Sequence, residues 1–119
     1  MRGAQRSSRY YLERRKCKME GIELICFEII SSVGGARSCY IEAIENAKNK
    51  DFEAAEENMK SGDEMFTQGH HAHAKLVQQE ANGDKVDVVL LLVHAEDQLM
   101  SAETFKILAN QFIDLYKSL

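Results

Sequence analysis

The chain contains no proline, so no helix in it is obliged to kink or stop for want of a backbone N–H. Its densest apolar run, residues 88–93, is six residues long, far short of the ~20 that a membrane-spanning helix needs. It has only three cysteines, Cys17, Cys26 and Cys39, with no CxxC spacing. An odd number cannot all pair within one chain, which excludes a disulfide framework and points to reduced thiols in a cytoplasmic protein. Cys26 and Cys39 read as small buried hydrophobes. A length of 119 residues suits one domain with a modest core.

The net charge of −4 hides an asymmetry. Residues 1–18 carry seven Lys/Arg against one Glu, and the remainder eight Lys/Arg against eighteen Asp/Glu. The basic head lacks the apolar stretch of a secretory signal. It is expected to be an unstructured extension, with Met19, at the composition break, as the natural start. The acidic body argues against nucleic acid as the main partner.

From residue 20 onward the periodicity is helical. Ile22, Ile25, Cys26, Ile29, Val33, Ala36, Tyr40, Ala43, Ile44 and Ala47 recur at steps of three and four, the spacing of one helix face. Gly34 and Gly35 interrupt it at a cost of about 1 kcal/mol each relative to alanine. Asp51 is a plausible N-cap. Phe52, Ala55, Met59, Gly62, Phe66, Gly69, His73, Leu76 and Glu80 then alternate strictly by three and four, a heptad seam whose small members suit close antiparallel packing. Asn82, Gly83 and Asp84 form a turn signal. The expected helices cover residues 20–48, 51–81 and 85–118 of a domain at 19–119.

The last segment opens VVLLLVHAEDQLM. Its valines favour a strand by propensity, but a lone strand has no partner in an otherwise helical chain. As a helix it aligns Leu90, His94, Asp97, Ser101, Thr104, Leu108, Gln111 and Leu115 on one stripe. Val89, Leu92, Val93, Leu99, Met100, Ile107 and Phe112 cover most of the rest. A helix apolar nearly all round must be buried nearly all round, and two partner helices cannot achieve that. The third helix should therefore face other copies of the chain as well. The polar middle of the stripe has two plain explanations, a structural His94–Asp97 hydrogen bond across one turn or a polar layer that sets coiled-coil register. His70, His71 and His73 form a second histidine cluster. His70 and His73 share a face, but no matching carboxylate or cysteine spacing supports a metal site.

HAEDQLM closely resembles the active-site motif of enzyme IIA of the lactose/cellobiose (N,N'-diacetylchitobiose) type, from the bacterial phosphoenolpyruvate-dependent sugar phosphotransferase system. The likeness extends through FEIISSVGGARSCYIEAIENAKNKDFEAAEENM and GHHAHAKLVQQEANGDK and runs from about residue 21 to the C-terminus. It implies an all-α fold, an antiparallel three-helix bundle with up-down-up order like a spectrin repeat. It implies a homotrimer with a central coiled coil of third helices. It implies that His94 is the phosphorylated nucleophile, receiving the group on Nε2 from phospho-HPr and passing it to a cysteine of enzyme IIB. It implies that Asp97 lies on the trimer axis, where three copies share one Mg2+. His70, His73, Glu96 and Gln98 are then candidate neighbours of the site crevice. The protein is expected to be cytoplasmic, docking on membrane-bound transporter components without inserting itself.

Two departures stand out. The commonest form of the motif has glutamine at position 96 and histidine at position 98. A carboxylate at 96 would oppose an incoming phosphoryl group if it faced His94, although a residue two further on lies on roughly the opposite side of a helix. These departures leave a second function class open, a non-catalytic or weakly active helical adaptor with the same fold.

Overall fold

The computed structural model describes residues 21–119. Three helices follow one another, α1 over Arg2–Lys48, of which residues 21–48 are described, α2 over Phe52–Ala81 and α3 over Leu90–Ser118. No strand occurs among the described residues. The basic head at 1–18, expected to be unstructured, lies outside them.

The α1–α2 connection is short because its chemistry allows a sharp reversal. Lys50 takes the left-handed conformation (φ 61°), and the Asp51 side chain accepts from the Ala54 N–H at 3.1 Å, satisfying one of the free donors that open α2. At the other end of α2, Gly83 adopts φ 82°, a region that glycine enters without steric cost.

The α1 stripe behaves as its spacing predicts. Cys26, Ile29, Val33, Ala36, Tyr40, Ala43 and Ala47 are essentially sealed from solvent. In α2 the seam residues Ala55, Met59, Gly62, Gly69 and Leu76 are buried, and the seam ends in solvent at Glu80. The small members set the helix separation. A Cβ on Gly62 would lie 2.6 Å from the Tyr40 ring, and one on Gly69 would lie 2.6 Å from the Val33 side chain. Gly34 and Gly35 do not break α1. The buried Tyr40 hydroxyl donates to Asp63 Oδ1 at 2.7 Å. Burial first, and this bond second, push the Tyr40 pKa upward. Helices α2 and α3 are tied at their exposed edges by Lys106–Asp63 (3.2 Å) and Lys117–Glu56 (3.7 Å), pairs open enough to water to contribute little.

Helix α3 begins at Leu90, five residues later than the sequence reading placed it. Residues 84–89 run outside any helix, and Val89 is extended (φ −109°, ψ 160°). Valines at 86, 88 and 89 lose side-chain freedom in a helix and accept extended backbone readily. Val86 is buried in the core beside Leu76 and Leu92, which anchors the segment without a partner strand.

Within one chain α3 is buried on one side only. Leu92, Ala95, Leu99, Ala102, Ala109 and Ile113 face the core. Leu90, His94, Asp97, Thr104, Leu108, Gln111 and Leu115 of the mixed stripe are exposed, and Ser101 is half-buried. Val93, Met100, Ile107 and Phe112 are exposed as well. Residues Gly21–Lys48 are long and apolar enough to cross a membrane by composition (mean hydropathy 1.3 over the best window). That stretch is two-faced, however. Its buried stripe fills the core, and Glu28, Ser31, Ser38, Glu42 and Glu45 lie outside.

Two glycine substitutions should separate a tight contact from a yielding one. At Gly62 a methyl meets an aromatic ring locked in the core, and overpacking of that kind costs about 1–3 kcal/mol, more than the ~1 kcal/mol gained in helix propensity. At Gly35 the obstacle is the Met65 sulfur at 2.8 Å, on a flexible and exposed side chain that can swing away. Thermal melting should therefore show Gly62→Ala destabilised and Gly35→Ala equal to or above the parent. The reverse order would refute the role of Gly62 as the close-contact point.

Candidate functional site

Each residue of a helix is displaced by about 100° from the last, and this separates the side chains of HAEDQLM around α3. Ala95 and Leu99 enter the core. Asp97 points nearly opposite to them, into the middle of the exposed apolar face. His94 stands at the edge of that face, exposed, on the shoulder nearest α1.

Gln98, one turn beyond His94, turns toward α1. Arg37 of α1 donates from Nη1 to Gln98 Oε1 at 2.8 Å and, more weakly, to Ser101 Oγ at 3.4 Å. Arg37 was not singled out among the candidate residues. Its only signal is a guanidinium one position after Ala36, at the margin of an apolar stripe.

Glu96 turns the other way. Its carboxylate meets Nε2 of His73 on α2 at 2.6 Å. The two help to line a cleft of about 370 Å³ with Leu76, Val86, Val88 and Leu92. His70 stacks on Phe66 with ring centroids 6.3 Å apart, and its ring lies 6.4 Å from that of His73. Thus, within one chain, His70, His73 and Glu96 do not form a crevice around His94. They sit on the α2 side of α3, and His94 and Gln98 sit on the α1 side. The reason is angular, since positions 94 and 96 diverge by roughly 200° around the helix. Glu96 therefore does not face His94.

Among the described residues of one chain, no group of three or more His, Cys, Asp or Glu side chains is arranged to hold a metal ion. Asp97 has apolar neighbours one turn away on either side, Val93 and Met100, both exposed. One chain offers one carboxylate at that place, so a cation there would need carboxylates from further copies. Three such oxygen donors fit a hard divalent ion.

Burial raises the Cys26 pKa, and the negative charges of Glu96 and Glu23 raise it further. Both effects disfavour the thiolate, the reactive form, so Cys26 is a packing residue.

A family model described as the lactose/cellobiose-specific IIA subunit of the phosphotransferase system matches residues 24–117. The lichenan-specific phosphotransferase enzyme IIA component of Bacillus subtilis (strain 168) is 41% identical over 100 residues, 84% of this chain and 91% of that protein. The crystal structure of the cellobiose-specific enzyme IIA from Bacillus anthracis superposes with a TM-score of 0.78 at 43% identity, covering 80% of this chain and 87% of that one. A chain in the solution structures of a IIA(chitobiose)–HPr complex superposes with a TM-score of 0.72 at 30% identity, covering 81% and 93%.

The two described cysteines should differ in reactivity. At pH 8–8.5 an ordinary thiol is substantially ionised, but Cys26 keeps its proton, while the half-exposed Cys39 is within reach of reagent. Thiol titration of the native protein should label Cys39 and spare Cys26 until the fold opens. Because folding raises the Cys26 pKa, its contribution to stability is full below the unfolded value of about 8.5 and is lost as pH rises above it. Rapid native labelling of Cys26 would contradict both statements.

Proposed function

As the chain belongs to the lactose/cellobiose-specific IIA family of the sugar phosphotransferase system, and so acts as a phosphoryl carrier in sugar uptake, we propose that His94 carries the phosphoryl group. The observation that supports this most directly is the exposure of His94 beside an apolar helix face, with Glu96 drawn off to His73. The carboxylate that the sequence set near the nucleophile is turned away from it. This favours the carrier over the inactive adaptor.

The chemistry asks for a neutral imidazole, with its proton on Nδ1 and a lone pair on Nε2. In the accepting step the Nε2–P bond forms as the P–N bond of phospho-HPr breaks. The donor imidazole departs with the bonding pair, and no proton need move. In the delivering step a cysteine thiolate of enzyme IIB attacks phosphorus, the P–S bond forms as the Nε2–P bond breaks, and His94 takes back the bonding pair as a neutral ring. Transfer of this kind depends mainly on positioning and charge stabilisation. It also requires that two partners reach the same nitrogen in turn, and an exposed imidazole on a helix shoulder allows that. The open end of α3 supports the same reading, because Val89 places no side-chain cap on its first N–H groups and the start of a helix favours negative charge. Such a carrier works in the cytoplasm.

The exposed side of α3 supports a trimer in which three third helices pack about an axis. Leu90, Val93, Met100, Ile107, Leu108, Phe112 and Leu115 form an apolar seam, broken by Asp97, Thr104 and Gln111, of the kind that marks a subunit interface. Asp97 lies at its centre. Three Asp97 carboxylates on the axis would repel one another, and a shared Mg2+ would offset most of that charge.

Two experiments test this. Incubation with phosphoenolpyruvate, enzyme I and HPr should add one acid-labile phosphoryl group per chain by intact mass, absent in His94→Ala and present in His70→Ala, His71→Ala and His73→Ala. A label that survives in His94→Ala would remove His94 from the reaction.

The second concerns Asp97. Exchanging buried charge for packed apolar groups is often neutral or stabilising by about 1–4 kcal/mol. Asp97→Leu should remain trimeric in the ultracentrifuge, melt no lower than the parent, and ignore EDTA. The parent should lose stability in EDTA at neutral pH. A monomeric Asp97→Leu, or a parent indifferent to chelator, would take Asp97 off the axis.

A further inference from the structure

Gln98 occupies a defined place relative to His94. Residues four apart on a helix have Cβ atoms about 5–6 Å from one another, and helical side chains lean back over the preceding turn. The Gln98 carboxamide therefore belongs to the surface over which His94 projects. Its two ends are chemically opposite. Oε1 is an acceptor and would repel a phosphoryl oxygen, whereas the NH2 group is a pair of donors and would bind one.

Arg37 decides which end is available. A guanidinium has donors only, and Arg37 Nη1 donates to Gln98 Oε1 at 2.8 Å. Flipping the amide would set NH2 against N–H, donor against donor. The acceptor end is thus tied to α1, and the donor end is the one left free. Ser101 Oγ, the second contact of Arg37 at 3.4 Å, holds the guanidinium on the same side of α3.

From this geometry we infer that Arg37 is a positioning residue for phosphoryl transfer: it locks the Gln98 amide so that its NH2 group faces the phosphoryl group carried by His94. The inference rests on the His94 reading given above. It gives Gln98 a role that its neutral amide fills only while Arg37 holds it. It also assigns Arg37 an effect on the transfer step rather than on partner docking. The transfer itself is unchanged. The phosphoryl group passes from the donor nitrogen to Nε2 of His94, and the amide contributes N–H donors to its oxygens without exchanging a proton.

The test is the rate of phosphoryl uptake from phospho-HPr by the full chain, followed by rapid quench and intact mass over a range of phospho-HPr concentrations. Arg37→Met should lower the maximal rate about tenfold, the usual scale for losing the outer partner of a functional side chain, with the half-saturating phospho-HPr concentration unchanged. Arg37→Lys, still a donor to Oε1, should recover most of the loss. Gln98→Glu, which offers acceptors only, should lower the maximal rate about a hundredfold, as removal of a donor from an anion site does. In a Gln98→His background, where an imidazole N–H can donate without help from Arg37, Arg37→Met should cost less than about twofold.

A maximal rate for Arg37→Met equal to the parent's, with His94 labelled in both, would overturn this inference and leave the His94 reading standing, whatever Gln98→Glu shows. So would a loss confined to the half-saturating concentration. A parent never labelled on His94 would overturn both. If Arg37→Met fails to fold by circular dichroism, Arg37→Ala, a helix-favouring change that also removes the donor, takes its place in every comparison.

Discussion

The fold depends on how closely α2 can approach α1. Gly62 and Gly69 bring the α2 backbone against the Tyr40 ring and the Val33 side chain, with no room for a Cβ at either place. Close-packed interiors transmit such constraints, because a buried ring cannot move without displacing its neighbours. With α2 seated there, α1 becomes the spine of the chain. It packs along both other helices, and they meet each other only sparsely. Helix α3 is left with one side in the core and one side outside.

That division of α3 organises the functional face. A single turn, His94 to Asp97, sends side chains in four directions. Ala95 goes to the core, Glu96 to His73 on α2, His94 to the α1 shoulder, and Asp97 to the apolar seam. The exposed residues and those that hold the bundle together are therefore interleaved in sequence and separated in space. A carrier needs this arrangement. The nucleophile must be reachable by two proteins in turn, yet stand on an element too well packed to shift when they dock.

The two polar links that cross to α3 near the motif act in opposite senses. The His73–Glu96 contact holds a carboxylate on the α2 side of α3, away from His94. The Arg37–Gln98 contact fixes an amide whose useful end depends on its orientation. One engages position 96 and the other position 98. Neither contact is visible within α3 itself, since the partners lie on α2 and α1.

The sequence by itself determined the helical class, the two buried stripes, the Asp51 cap and the family, because each of these is carried by local spacing or by a contiguous motif. Ile22 to Ala47 and Phe52 to Leu76 could be read as seams since a helix turns by the same angle everywhere. The start of α3 was misread by five residues, because a valine-rich segment satisfies both helical burial and extended backbone, and only the seat that Val86 finds in the core decides between them. The neighbours of His94 were likewise beyond the sequence. His70, His73 and Glu96 form their own cluster, and Arg37, 57 positions before His94 in the chain, is the residue that reaches the His94 side. Which distant side chain faces which is set by the rotation and separation of packed helices, and those follow from the Gly62 and Gly69 contacts rather than from any spacing along the chain.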